Sequence, residues 1–344
     1  MNVGIVGFGL IGQQRARNVA QMPEHRLVAV YDPNQSRASS LQDKIDYATE
    51  PSVRCLIGRD DVDVVMIAVP HLYSRDIAVA AFEAGKHVFC EKPLGRDMRD
   101  CDAIMRAAER ACLRLGVGFN YRFYPGIQEA RRRIADGEIG TPTHLRCVMG
   151  HGGRPGMEDE WKTSKKVCGG GALLDPGIHI LDLIAYLLGP IRDGSASLFR
   201  SFWKIDVEDN AFVTLETYSG CAAQAHISIT EWKSRFSLDI FGTDGEIRVR
   251  GRSGFYGPQT VRYTRRWPWL SADGNAETVT EYPAEDQSFL LETRAFLDSI
   301  KGRMSSELAM GEDGRTALAL IERLYERAPV VEARPRAMTS AAAD

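Results

Sequence analysis

Little in this chain points to metal, disulfide, membrane or nucleic-acid chemistry. Its seven cysteines (Cys55, Cys90, Cys101, Cys112, Cys147, Cys168 and Cys221) are odd in number and contain no Cys-x-x-Cys. They read as reduced thiols, neither a disulfide frame nor a zinc site. His144, His151, Asp175 and His179 lack metal-ligand spacing, and no metal is expected. No Gly-Lys-Ser/Thr follows a glycine loop and no Gly-x-Ser-x-Gly occurs, which argues against a P-loop nucleotidase and a serine hydrolase. No apolar run is long enough to span a bilayer. Net charge is −3, from 43 basic and 46 acidic residues, so neither nucleic acid nor an anionic membrane is an expected partner. An apolar strand begins at once, leaving no room for a signal peptide, and a cytoplasmic location is expected. At 344 residues the chain has length for two domains.

What is present begins at the N-terminus. The apolar run Val3–Val6 leads into Gly7-Phe8-Gly9-Leu10-Ile11-Gly12, and Gln13–Gln21 reads as a helix. In that order Gly7 permits a tight turn, Gly9 lets backbone approach a pyrophosphate, and Gly12 lets helix pack on strand. The helix start then offers free N–H groups and a positive dipole end to phosphates. A second apolar run, Arg26–Tyr31, ends at Asp32, twenty residues beyond Gly12. A carboxylate there accepts both ribose hydroxyls of NAD and repels a 2′-phosphate. NAD is therefore favoured over NADP, with Arg37 softening the preference.

Strands and helices go on alternating. Val62–Val69 is a strand ending at Pro70 and His71, Arg75–Ala84 a helix, Lys86–Cys90 a strand ending at Glu91-Lys92-Pro93, Asp97–Leu113 a helix, and Leu115–Phe119 a strand ending at Asn120. The fold class read from this is α/β: a parallel sheet with helices on both faces over residues 1–122, its ligand at the carboxyl ends of the strands. From 123 to 328 the texture becomes α+β, with one large, open, mostly antiparallel sheet. Its helices are Ala130–Ala135, Pro176–Leu188, Ser288–Ile300 and Gly311–Ala328. Residues 329–344, rich in Ala and Pro, read as a disordered tail.

Three residues invite chemistry. Lys92 directly follows a buried strand; its ammonium can stabilise a developing alkoxide, or it is a solvated loop lysine. Asp175 precedes Pro176 and reads equally as a helix N-cap. His179 falls four residues on, on the same helix face, where the dipole disfavours imidazolium and suits it to act as a base; otherwise it is a core histidine. Asp182 is either a solvated helix residue or a partner for the second ring nitrogen of His179.

Read together, Gly7–Gly12, Ala84–Pro93, Gly118–Arg122 and Gly169–Asp182 resemble the glucose–fructose oxidoreductase / inositol dehydrogenase (Gfo/Idh/MocA) family over residues 1 to about 328. The resemblance implies a Rossmann domain followed by an open-sheet domain, with dimers or tetramers formed through that sheet. It implies NAD(P)-dependent oxidation or reduction of a secondary alcohol or ketone on a sugar, inositol, aminocyclitol or nucleotide-linked sugar. Lys92 would polarise the substrate oxygen, His179 serve as acid/base and Asp175 position the substrate or the lysine. Val69, Pro70, His71, Glu91, Pro93 and Asn120 would lie by the cofactor, with Arg122 near the substrate. The family often carries Pro-Asn-x-x-His after the third strand, where this chain has Pro70-His71-Leu72-Tyr73-Ser74. Trp161, with Arg154, Lys162, Lys165 and Lys166, would border the pocket as an aromatic surface and phosphate handle, or form a solvated basic loop. Two other readings remain: a glycosidase or lyase that uses NAD transiently, served by Glu158, Asp159 and Glu160, and a non-catalytic NAD-sensing regulator.

Overall fold

Buried, β-branched runs with no polar alternation pair as a parallel sheet, since both faces must be covered. The computed structural model describes residues 1–270 and 277–332. Its first third contains β1 (Asn2–Val6), α1 (Leu10–Ala20), β2 (Arg26–Tyr31), α2 (Gln35–Ala38), β3 (Ala48–Thr49), α3 (Val53–Ile57), β4 (Val64–Ile67), α4 (His71–Glu83), β5 (His87–Cys90), α5 (Met98–Ala111) and β6 (Leu115–Val117). The strands lie in the order β3-β2-β1-β4-β5-β6, all parallel. This is the doubly wound Rossmann order, and its crevice opens where the chain reverses direction, between β1 and β4. Helix α4 starts four residues before the expected Arg75, with Pro70 at its N-cap.

A 3-10 turn, Asn120–Phe123, leads into the second part: α6 (Pro125–Ala135), β7 (Pro142–Gly150), α7 (Lys165–Cys168), α8 (Gly177–Leu188), β8 (Ile191–Arg200), β9 (Asn210–Thr217), β10 (Ala222–Ser228), β11 (Arg235–Gly242), β12 (Gly245–Arg250), β13 (Thr260–Arg265), β14 (Glu277–Glu281), α9 (Ser288–Ile300), α10 (Gly311–Arg327) and β15 (Val330–Glu332). Nine strands form one open sheet in the order β14-β13-β12-β11-β7-β10-β9-β8-β15. The pairings are antiparallel except β7–β10 and β8–β15. One face alternates into the core through Leu145, Cys147, Met149, Val213, Leu215, Ala223 and Ala225.

Helix α8 lies under that face and is buried all round. Ile178, Ile180, Leu181, Leu183 and Ile184 are each at most 1% exposed. At about 2 kcal/mol per buried aliphatic side chain, these five supply roughly 10 kcal/mol of transfer free energy as an upper bound. His179 and Asp182 are carried inside on the same helix. Helix α9 returns to lie along α1 and the 3-10 turn, and α10 packs on α5 and β6 of the first part and on α8 and β8 of the second, tying the two together.

Two expectations change here. Strands β13 and β14 are not among the expected strands, because their side chains are mostly exposed or half-exposed and the apolar signal is short: Val261 and Tyr263 in β13, Val279 alone in β14. The expected disordered tail begins too early: Val330–Glu332 pairs in parallel with Leu198–Arg200. Residues 333–344 of that tail lie outside the described residues. Among the described residues no helix is long and apolar enough to cross a membrane.

Candidate active site

The three glycines after β1 divide the work as their spacing predicts. Gly7 has φ +87°, and a Cβ there would sit 2.4 Å from the Ala68 carbonyl oxygen. A Cβ on Gly12 would sit 2.0 Å from the Gly7 carbonyl oxygen. A Cβ on Gly9 would meet nothing within 4 Å. Gly7 and Gly12 are thus glycine for packing, whereas Gly9 leaves room for a ligand. Gly9 caps α1 without a side chain, and the first-turn N–H groups of Leu10, Ile11 and Gly12 have no intrahelical acceptor. Asp32 is 3% exposed at the end of β2, its Oδ2 accepting the Phe8 N–H at 2.8 Å and its Oδ1 the Asn34 N–H at 2.9 Å. Arg37 Nη1 lies 3.6 Å from Asp32 Oδ2. Gly7, Gly9, Leu10, Ile11, Asp32, Val69 and Pro70 border a cleft of about 880 Å³. An open cradle at an uncapped helix start, beside a carboxylate, fits a dinucleotide.

Asp175 and Lys162 line the same cleft and, with the titratable side chains around them, form its second wall. Lys92 Nζ donates to Asp175 Oδ1 and to the Asp175 carbonyl, both at 2.7 Å. Lys162 Nζ donates to Asp175 Oδ2 at 3.0 Å. Asp175 is therefore clamped between two ammonium groups; burial opposes its charge, but Lys162 and Lys92 hold it well below the usual carboxylate range. His179 lies one helical turn on, its ring stacked on Tyr121 with centroids 4.0 Å apart and planes 6° apart. Its Nδ1 is buried without a hydrogen-bond partner. Burial first, then Lys92 and Arg252, hold the imidazole well below its ordinary pKa, so it is neutral at pH 7.

Local backbone puts these groups in place. The Lys92–Pro93 peptide is cis. Buried Glu208 accepts the N–H groups of Gly171 (3.1 Å) and Leu173 (2.9 Å) and the Tyr325 hydroxyl (2.7 Å). A Cβ on Gly171 would lie 2.1 Å from the Glu208 carbonyl oxygen, so the backbone of the triple-glycine segment is pinned just before Asp175.

Both parts match known proteins. A family model described as "Oxidoreductase family, NAD-binding Rossmann fold" matches residues 1–119, and the "GFO/IDH/MocA C-terminal domain" matches residues 127–248. An uncharacterized oxidoreductase of Bacillus subtilis, YrbE, is 31% identical over 252 residues, covering 70% of this chain and 71% of that protein. The chain belongs to the Gfo/Idh/MocA oxidoreductase family. The myo-inositol 2-dehydrogenase of Thermotoga maritima is 27% identical over 333 residues, covering 93% of this chain and 94% of that one. A solved levoglucosan dehydrogenase, in complex with NADH and levoglucosan, shares the fold with a TM-score of 0.84 at 23% identity, covering 95% of this chain and 96% of that one. The chain is thus an NAD(P)-binding dehydrogenase or reductase for carbohydrate-like substrates.

Several residues of this Gfo/Idh/MocA chain are committed differently from the sequence-based expectation. Asp175 caps no helix: α8 begins at Gly177, preceded by Pro176 with no side-chain cap, because both carboxylate oxygens are taken by lysines. Asp182 neither faces water nor orients His179; it receives the Arg122 guanidinium at 2.9 and 2.5 Å, and burial pushes it up to about 6. Arg122, expected near substrate, is 6% exposed and shared between Asp182 and Asp313. Phe8 is a core residue, 0% exposed and packed on Tyr47. Glu91 pairs with buried Arg15 at 2.7 Å, which also holds Glu292 of α9, and Asn120 donates to Ser288. Both tie the cleft floor to α9.

His71 is buried, its Nδ1 2.7 Å from the Cys168 carbonyl oxygen and its ring edge-on to Trp161 at 5.0 Å. Burial holds it down to about 4. The basic loop divides: Lys162 reaches Asp175, Arg154 pairs with Glu160 at 2.7 Å, and Trp161 borders the cleft. Tyr121 and Arg252 carry no expected role from sequence, and Arg252 meets the site from a distant turn. Lys162 is expected in the loop that borders the pocket, as part of a phosphate handle or a solvated basic face; the fold directs it to Asp175 instead.

Proposed function

We propose that this chain is an NAD-dependent dehydrogenase or reductase that moves a hydride between nicotinamide and a secondary alcohol or ketone carbon of a sugar, inositol, aminocyclitol or nucleotide sugar. The observation that carries the reading is the Lys92–Asp175 ion pair, one helical turn from a neutral, buried His179, with Asp175 lining the same cleft as the glycine turn. NAD, when bound, supplies the hydride acceptor; Gly7, Gly9, Leu10, Ile11 and Gly12 would hold its phosphates and Asp32 its ribose hydroxyls. Asp32 favours NAD, and NADP is the poorer cofactor.

An ammonium has three N–H donors. Two of those on Lys92 are directed to Asp175, and the third binds the substrate oxygen and stabilises negative charge on it. Neutral His179 takes the hydroxyl proton in oxidation and returns it in reduction, a contribution of about 10²–10⁴-fold. Asp175, kept ionised, fixes the direction of Lys92. Trp161 offers a flat apolar surface to a sugar ring. The outer face of the nine-stranded sheet, where Phe212 is 47% exposed, is the surface for a homodimer or homotetramer.

The experiment is NADH formation with NAD and a panel of inositols, free sugars, aminocyclitols and nucleotide-linked sugars, with Lys92→Ala as control. Turnover by the wild-type chain and none by Lys92→Ala supports the reading. Equal turnover by both overturns the role of Lys92. Glycoside cleavage without net NADH replaces the reading with the lyase alternative.

A further inference from the structure

A base histidine usually has its second ring nitrogen hydrogen-bonded, most often to a carboxylate or carbonyl, which fixes the ring. His179 has no such partner at Nδ1, and the nearby carboxylate of Asp182 is spent on Arg122. Aromatic surfaces hold the ring instead. Phe119 meets it edge-on at 5.9 Å, and Tyr121 lies parallel at 4.0 Å. The Arg252 guanidinium lies 4.7 Å over the Tyr121 ring. Tyr121 thus contacts both the imidazole and the guanidinium through its ring.

Arg252 is itself fixed. Its guanidinium covers Tyr256 at 3.8 Å and Nη1 donates to the Tyr124 hydroxyl at 3.1 Å. Gln259 anchors the same turn, donating to the Gly251 carbonyl at 3.4 Å and accepting the Gly126 N–H at 2.6 Å. This turn follows β12, far in sequence from both the 3-10 turn that carries Tyr121 and the helix that carries His179.

We propose that Tyr121 and Arg252 are positioning residues for His179: a guanidinium–phenol–imidazole stack, in place of a hydrogen-bonded carboxylate, fixes the ring and keeps it neutral. The inference rests on His179 being the acid/base of the proposed reaction. The charged groups that act most strongly on His179 are Lys92 at the end of β5, Arg252 after β12, the carboxylate of Asp175, and Lys162 from the loop before α7. The three cations oppose a proton on the ring, and Asp175 favours one. Arg252 is the cation that touches neither Asp175 nor the substrate oxygen, so its charge can be removed without disturbing the clamp.

The test is a ¹³C-histidine NMR titration of the full chain from about pH 9 down to the acid limit of its folded state, with the His179 resonance assigned by its loss in His179→Asn. In the wild type the midpoint is expected on the acid side of an ordinary histidine. Arg252→Met keeps the packing of the stem and removes the charge; its His179 midpoint is expected to rise by roughly half a pH unit or more. Arg252→Lys is expected to restore the wild-type curve. Tyr121→Leu is expected to lower kcat with the dinucleotide Kd unchanged, because the ring loses its fixed plane. A His179 midpoint unmoved in Arg252→Met, in protein whose unfolding temperature and NAD binding match wild type, overturns the inference. Full turnover by His179→Asn overturns instead the acid/base reading on which it rests.

Discussion

The two walls of the cleft are built on different principles. The glycine wall works through backbone: side chains are missing where a ligand must approach, and the contributing residues lie within a single strand–turn–helix. The lysine wall works through side chains brought from β5, from the loop before α7, from the start of α8 and from the turn after β12. The first can be read from a dozen consecutive residues. The second exists only when distant segments meet. A binding function needs approach and a dipole, whereas a proton-transfer function needs charges at set distances.

The sharpest way to break this comparison is to damage one wall and ask whether the other still works. Lys92→Ala is expected to lower turnover by about 10²–10³-fold or more, since a donor to the reacting oxygen is lost. Its NAD affinity, read by nucleotide fluorescence, is expected to stay within about threefold, a difference under about 1 kcal/mol. A matching loss of NAD affinity would show that the walls are one structural unit.

Within the glycine wall, Gly12→Ala and Gly9→Ala separate packing from binding. The Gly12 Cβ would lie 2.0 Å from a backbone oxygen, so Gly12→Ala is expected to destabilise the domain by several kcal/mol, seen in chemical denaturation. Gly9 has φ −69°, ordinary for alanine, and open space before it. Gly9→Ala is expected to keep the wild-type unfolding midpoint and weaken NAD about tenfold or more, 1.4 kcal/mol being a factor of ten. Equal stability loss in the two variants would remove the distinction.

That contrast also explains what was legible beforehand. The parallel sheet and the assignments of Gly7, Gly9, Gly12 and Asp32 follow from local pattern, and the open sheet from alternation along β7 to β12. Lys92 and His179 stood out through motifs whose spacing is local. Asp182 did not, because a helical carboxylate one turn from a histidine reads as solvated or as the histidine's partner until Arg122 arrives from sixty residues upstream. The pairing of Arg122 with Asp182 and Asp313 is set by the same distant contacts. Lys162 looked like one charge in a solvated basic loop, and only the fold brings it to Asp175.

Asp32 sits between the two kinds of wall, a side chain whose role depends on local backbone. Both its oxygens accept backbone N–H groups, and Arg37 stands 3.6 Å from one of them. Asp32→Asn removes the charge that repels a 2′-phosphate and leaves Arg37 without its anion. The NAD-over-NADP ratio of kcat/KM is expected to fall about tenfold. A ratio unchanged in Asp32→Asn would move cofactor choice to residues outside β2.

The smallest effect is expected at Lys162, and it tests whether the clamp on Asp175 is symmetric. Lys92 and Lys162 each hold one oxygen of the same carboxylate, at 2.7 and 3.0 Å. Their side chains differ in solvent contact, 15% against 48% exposed. An ion pair open to water is screened and contributes less than a buried one. Lys162→Met is therefore expected to leave Asp175 ionised through Lys92 and to lower kcat/KM by tenfold at most, chiefly through KM, because the loop carrying Trp161 loses its latch. Steady-state kinetics at saturating NAD separates the two parameters. A kcat loss as large as that of Lys92→Ala would mean that Lys162 carries the reacting oxygen and that Lys92 is the anchor.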